Sequence, residues 1–203
     1  CIFCSEGGSG DFAGSCSLSI TEQINTGKTL VSKKIKNEDN TGQYIAYFQA
    51  FTNTYSDVDT LRKLYYEAIE PEYIVGIAIG TRPDCLPDET IELLKRVNQI
   101  KPVTVELGFQ TQNEKTAEYI RRGYKNEVYI DAVKRLKDNG IEQAMIYPRS
   151  GCQIEYLSEE WFLTVSCFLE YAKELDMAIW LYDDFNWPSG DAGGKVTKNP
   201  QFR

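Results

Sequence analysis

Short runs of β-branched and aromatic residues alternate in this chain with longer stretches whose apolar side chains recur about every 3.6 positions. The short runs predict strands at 45–50, 73–80, 104–110, 143–148 and 178–183. The longer stretches predict helices at 21–35, 57–70, 88–99, 113–122, 127–139 and 158–175. Strand and helix in steady alternation build βα units, and each helix returns the chain across the face of a parallel sheet. Strand starts recur at about thirty to forty residues, the repeat of a (β/α) barrel or of an open doubly wound sheet. Five such strands fall short of the eight that close a barrel. The expected class is therefore α/β, a partial (β/α) barrel of parallel strands with alternating helices.

Several boundaries carry their own reason. Asp57, Asn113 and Ser158 can each accept the orphan amide protons of a helix start. Ser158 has Trp161 three residues on, so it lacks the Glu or Gln that completes a capping box. Asn139-Gly140 supplies a left-handed stop for the helix before it. Gly7, Gly8, Gly10 and Gly14 punctuate the opening, which predicts a loop over 1–17 that wraps something. In either architecture, sites collect at the carboxyl ends of the strands, and the residues after each apolar run are the ones to examine.

Composition removes several function classes. With 203 residues, 42% hydrophobic and 26% charged, the chain is neither disordered nor a coiled coil. A chain of this length buries roughly 70% of its unfolded surface without a disulfide or metal staple. Twenty-two Lys and Arg against thirty Asp and Glu leave a net charge of −8, which argues against general nucleic-acid binding through the phosphate backbone. Histidine is absent, which removes Ser-His-Asp and Cys-His nucleophiles, His-ligated zinc and imidazole proton shuttles. The longest near-continuous apolar run, Tyr73 to Gly80, is far too short for a membrane span, and no signal-peptide core opens the chain. A soluble, cytoplasmic protein without a membrane partner is expected. Residue 1 is Cys, and the methionines are Met145 and Met177, so the sequence reads as a fragment.

Chemistry must then come from Cys, carboxylate, Tyr, Lys or a cofactor. Cys1-Ile2-Phe3-Cys4 sets two thiolates on one loop, the spacing that ligates one metal centre or forms a redox pair. With a glycine-rich loop directly after, metal or cluster ligation is the favoured reading for Cys1 and Cys4. Cys85, Cys152 and Cys167 are isolated from one another and read as buried small apolar residues. Gln49 to Asn53 follow the first strand run, Thr81 and Arg82 the second, and Glu106 and Gln110 lie in the third. Arg82 can pair bidentately with a carboxylate, while Glu106 in an apolar strand needs a cation or donor beside it. Three consecutive polar strand ends predict one shared cavity.

Five stretches, CIFCSEGGSGDF, YFQAFTNTY, IVGIAIGTRPDCLPDE, VELGFQTQNEKTAEYIRRGY and the helix end KDNGI, taken in this order, resemble the radical S-adenosylmethionine superfamily, in a bacterial branch related to elongator acetyltransferase-like enzymes. The resemblance covers residues 1–142. It implies a [4Fe-4S] cluster held by three cysteines, whose open iron binds S-adenosylmethionine and delivers the electron that releases a 5′-deoxyadenosyl radical. It makes Cys1 and Cys4 the last two cluster ligands, with the first upstream, so the barrel is incomplete at its N-terminus and the fragment as given is expected to be inactive. It also places Gln49, Asn53, Thr81, Arg82, Glu106 and Gln110 where the family lines its S-adenosylmethionine cavity. An electron donor is an expected partner and the substrate is unassigned. Tyr124 stands where relatives commonly carry histidine.

Beyond Ile141 the resemblance changes character. A further strand and a GLPGE-type loop are expected by about residue 152, yet the sequence reads MIYPRSGCQIEYLSEEWF. Residues 143–203, chiefly YPRSG, YLSEEW and YDDFNWPSG, resemble instead a βα unit of TIM-barrel glycoside hydrolases of the α-L-rhamnosidase-like kind. All three tryptophans, Trp161, Trp180 and Trp187, lie there. This second resemblance implies a hybrid joined near residues 140–146. It makes Asp183 and Asp184 the catalytic candidates, with Arg149 at the preceding strand end and Trp187 able to stack on a sugar ring.

Overall fold

The computed structural model describes residues 2, 13–32, 42–146, 154–181 and 192–202. Its contacts divide the chain into two compact units, residues 1–141 and 142–203. The first unit runs α1 (Ile20–Ser32), β1 (Tyr44–Phe48), α2 (Val58–Ile69), β2 (Ile74–Thr81), a 3-10 turn (Pro83–Cys85), α3 (Asp88–Asn98), β3 (Val103–Leu107), α4 (Glu114–Tyr119) and α5 (Asn126–Asp138). The second contains β4 (Gln143–Ile146), α6 (Glu159–Glu174), β5 (Ala178–Leu181) and two 3-10 turns, Ala192–Gly194 and Pro200–Phe202. Every strand pairing is parallel: β1-β2-β3 form one sheet and β4-β5 a second, one in each unit. The expected α/β class, parallel strands with alternating helices in a partial barrel, is the observed one.

Local chemistry accounts for the element ends. At α1 a reciprocal capping box forms, in which the Ser19 backbone N–H donates to Glu22 Oε2 at 2.8 Å and the Glu22 N–H donates to Ser19 Oγ at 3.2 Å. These exchanges hold the Glu22 carboxyl below its ordinary range. Asp57, Asn113 and Ser158 cap α2, α4 and α6 as expected, accepting from the N–H groups of Thr60, Thr116 and Trp161. Gly140, at φ 88°, ends α5, and the Ile141 N–H reaches back to the Leu136 carbonyl.

β1, β3 and α4 end two or three residues before the predicted boundary. β1 stops at Phe48 because Ala50 and Phe51 take left-handed φ values of 79° and 62°, outside the extended region that continues a strand. β3 stops at Leu107, ahead of Gly108 and a left-handed Gln110 at φ 62°. α4 covers a single turn and a half, since Arg121 and Gly123 both enter positive φ and the Arg122 N–H closes back on the Ala117 carbonyl.

In the first unit the core forms between one face of the sheet and its helices. Leu61, Tyr65, Ala68 and Ile69 of α2, and Ile91, Leu94 and Val97 of α3, bury against Ile77 and Ile79 of β2 and Val103 of β3. The α2 positions follow the i, i+4, i+7, i+8 stripe of a core-facing helix. Burying a side chain such as Leu94 contributes roughly 1.5–3 kcal/mol. Tyr65 meets Phe48 edge to face at 5.2 Å, so α2 is pinned against the outgoing end of β1.

The cysteine expectation needs correction. Cys167 is exposed, as is Cys16, and Cys85 is half-buried. Cys167 follows Ser166 on the outer side of α6, a helix whose buried residues are Trp161 and Ala172. Cys152 lies outside the described residues. Among the described residues no helix is long and apolar enough to cross a membrane.

Candidate functional site

Parallel pairing brings the carboxyl ends of β1, β2 and β3 to one edge of the sheet. The tightest knot there is Asn53. Its Nδ2 donates to the carbonyls of Phe48 (3.1 Å), Ala50 (3.2 Å) and Gly80 (2.9 Å), and its backbone N–H also reaches Gly80 O at 3.1 Å. Tyr65 Oη donates to the Asn53 carbonyl at 2.7 Å, and burial pushes the Tyr65 hydroxyl well above its ordinary value. Asn53 thus staples the left-handed corner at Ala50 and Phe51 to the end of β2. Gln49, beside that corner, is exposed.

Thr81 is buried and shares a hydroxyl hydrogen bond with Thr54, whose Oγ1 also meets the Cys85 carbonyl. Arg82 forms the bidentate pair expected of it, but with Asp84 of the same chain: Nε to Oδ1 at 2.9 Å and Nη2 to Oδ2 at 2.7 Å. Asp84 holds the guanidinium pKa above its ordinary value against the opposing effect of burial. Its Nη1 donates to the Arg122 carbonyl at 3.0 Å, and the guanidinium lies 5.3 Å from the Tyr124 ring centroid.

Glu106 is exposed on the sheet face opposite the helices, and its Oε2 accepts from Tyr47 Oη at 2.7 Å. That phenol is the donor Glu106 was expected to need. Gln110 Oε1 accepts from Tyr124 Oη at 3.3 Å, and burial pushes the Tyr124 hydroxyl up to about 12. A Cβ on Gly108 would stand 2.5 Å from Gln110 Nε2, so a larger residue there would make the flexible Gln110 carboxamide swing aside.

Arg122 escaped the sequence reading. It is fully buried, and its guanidinium donates to the carbonyls of Tyr124 (2.9 Å), Phe109 (3.3 Å) and Thr111 (2.6 Å) and to Asn126 Oδ1 at 2.9 Å. Glu114 Oε1 lies 3.6 Å away. Arg122 therefore ties the loop after β3 to the start of α5 and sets the course of Gln110. The signal in the sequence, two arginines before Gly123, does not say which one is buried.

The strand-end residues gather at this edge of the sheet. A cavity of about 810 Å³ lies beside them, bounded by Thr54, Tyr55, Asp84, Cys85, Asp88 and Arg135 among others, and none of the six predicted cofactor residues contributes to it. Burial raises the Cys85 thiol pKa, and Asp84 adds to the effect. Among the described residues no group of three or more Cys, Asp or Glu side chains could hold a metal ion. Cys1 and Cys4, the metal candidates, lie outside the described residues, as do Arg149, Asp183, Asp184 and Trp187.

The donor set nonetheless suits the chemistry expected. Two thiolates with CxxC spacing would supply two of the three cysteine ligands expected for the cluster, and an exposed carboxylate above a strand of Gly76, Ala78 and Gly80 suits a cationic nucleoside.

Parallel strands alternating with helices, with polar residues at their carboxyl ends, define an α/β protein of the partial (β/α) barrel class. Residues 1–149 match the family model described as the Radical SAM superfamily, and the chain belongs to that superfamily. It is 43% identical over 141 residues to the uncharacterized protein YtqA of Bacillus subtilis (strain 168), covering 70% of this chain and 42% of that protein. It is 36% identical over 143 residues to protein YhcC of Escherichia coli (strain K12), covering 70% of this chain and 44% of that one. The chain thus spans less than half the length of these relatives. Among solved structures, Elp3 of the archaeon Methanocaldococcus infernus, with an N-terminal deletion, superposes with a TM-score of 0.51 at 14% identity, over 90% of this chain and 58% of that one. That likeness is one of fold. The comparisons lend no support to the glycoside hydrolase resemblance of residues 143–203 or to a hybrid origin.

Proposed function

We propose that residues 1–142 carry the cofactor chemistry of a radical S-adenosylmethionine enzyme, with Cys1 and Cys4 as cluster ligands and S-adenosylmethionine lying along the carboxyl ends of β1, β2 and β3. The observation that carries this reading is the family match over residues 1–149, which spans the cysteine pair and all three polar strand ends. A [4Fe-4S] cluster, when bound, would supply one-electron reductive cleavage of S-adenosylmethionine to methionine and a 5′-deoxyadenosyl radical, chemistry that side chains do not supply and a cofactor must.

This chain's own residues hold and orient. Asn53 fixes the corner between β1 and β2, so that Gln49 and the backbone around it present a rigid rim. Arg82, already neutralised by Asp84, acts mainly by anchoring the Arg122 segment. Glu106 offers a carboxylate to the positive charge of the cofactor, and Gln110 offers a carboxamide whose orientation Tyr124 sets. The substrate that meets the radical, and the electron donor, belong to the whole protein.

Anaerobic iron–sulfur reconstitution, followed by ultraviolet-visible and EPR spectroscopy, tests the reading. With a third cysteine supplied ahead of Cys1, a cluster signal that disappears in Cys1→Ser and Cys4→Ser is expected. Failure to form any cluster, even with a third cysteine supplied ahead of Cys1, refutes it.

A further inference from the structure

Tyr47 and Glu106 stand on the two outer strands of the three-stranded sheet, and the strand between them decides whether they can meet. In the register Tyr47 faces Ala78 and Glu106 faces Gly80. Side chains alternate along a strand, so residues 76, 78 and 80 share one face and Ile77 and Ile79 the other. The isoleucines are buried in the core. The opposite face of β2 therefore offers nothing larger than a methyl group: Gly76, Ala78 and Gly80. Two strand spacings amount to about 9.5 Å, a gap bridged only by a long side chain from each bank across an unobstructed trough. Tyr47 Oη crosses it and donates to Glu106 Oε2 at 2.7 Å. Glu106 Oε1 takes no hydrogen bond from the described residues.

An exposed glutamate on a strand samples several rotamers, and fixing it costs up to about 1.5–2 kcal/mol of side-chain entropy. A charge-assisted bond to one carboxylate oxygen meets that cost before any ligand arrives and leaves the other oxygen directed by the same constraint.

We propose that Tyr47 is a positioning residue. Its hydroxyl holds the Glu106 carboxylate over the Gly76–Ala78–Gly80 trough to receive a positive charge, and the pair thereby selects cationic S-adenosylmethionine over uncharged thioether nucleosides. The inference rests on the cofactor reading above and adds to it the residue that sets charge selectivity.

Equilibrium dialysis of the reconstituted full chain against S-adenosylmethionine and against S-adenosylhomocysteine, the thioether nucleoside that keeps the amino-acid end and lacks only the sulfonium charge, decides it. Tyr47→Phe keeps the ring of a half-exposed residue, so the sheet is retained. It is expected to weaken S-adenosylmethionine binding about tenfold, equivalent to about 1.4 kcal/mol, while leaving S-adenosylhomocysteine unchanged. Glu106→Gln should abolish the preference, and adding Tyr47→Phe to it should change nothing more. Equal losses for both nucleosides would mark Tyr47 as merely structural and overturn the proposal, as would an unaltered affinity for S-adenosylmethionine. Binding of neither nucleoside by the wild-type chain overturns the cofactor reading itself, and the positioning role with it.

Discussion

The two units of this chain use their apolar residues in opposite ways. In residues 1–141, α2 and α3 turn continuous stripes inward, and Tyr65, Ala68, Leu94, Val97 and Ile79 are completely enclosed. In residues 142–203, α6 buries Trp161 and Ala172 among its described residues, while Phe162, Leu163, Phe168, Leu169 and Tyr171 lie half or more exposed. Both helices are rich in apolar residues. What separates them is partner surface: the α2 stripe packs with α3 against a three-stranded sheet, whereas in α6 even Phe168, on the stripe between Trp161 and Ala172, stays half exposed in a unit whose sheet has two strands. Hydrophobic content alone does not make a core; a face and a partner surface of matching size do.

Three perturbations follow from this contrast, in descending size. Leu94→Ala should cost about 2–5 kcal/mol, because the enclosed site leaves a cavity, whereas Leu163→Ala on α6 should stay within about 0.5 kcal/mol. Amide hydrogen exchange across residues 44–107 reads the first. Tryptophan fluorescence reads the second, since all three tryptophans lie beyond residue 160. Equal losses in both would contradict the asymmetry.

Arg122→Leu removes a buried cation that satisfies three carbonyls and an amide oxygen, and should cost about 2–4 kcal/mol with lost protection around residues 109–126. Arg122→Lys should recover only part of this, since an ammonium cannot reproduce the planar fork. Full rescue by lysine would show that charge, not geometry, holds the loop.

The smallest effect concerns Asp57, whose carboxyl is held below its ordinary value by the Thr60 hydrogen bonds at the start of α2. A carboxylate with a depressed folded-state pKa stabilises above its unfolded pKa and loses that contribution as pH falls through the folded value. Exchange protection in the first turn of α2 should therefore decline on acidification below the ordinary aspartate range. In Asp57→Asn, which caps without titrating, it should stay flat; a decline there would place the titrating group elsewhere.

Much of the architecture was legible in the residues. Periodicity located five strands and six helices, and cap chemistry at Asp57, Asn113, Ser158 and Gly140 marked their ends, because a missing amide partner or a positive φ is a local problem with a local solution. The capping box at Ser19 and Glu22 was also there to be read, although the predicted helix began later, at residue 21. The polar strand ends were recognised as a group. Their individual roles were not, since Asn53 and Arg82 have found partners within the chain that no spacing rule announces.

Alternation, caps and the order of polar strand ends are written in short-range sequence because they depend on neighbours within a turn or a strand. Only folding could decide that a phenol on β1 meets a carboxylate on β3 across a strand of small residues, or that Arg122 rather than Arg121 is enclosed. Both outcomes depend on register and on which surfaces come to face each other. Those are set by the joint packing of elements distant in the chain, and no window of sequence contains them.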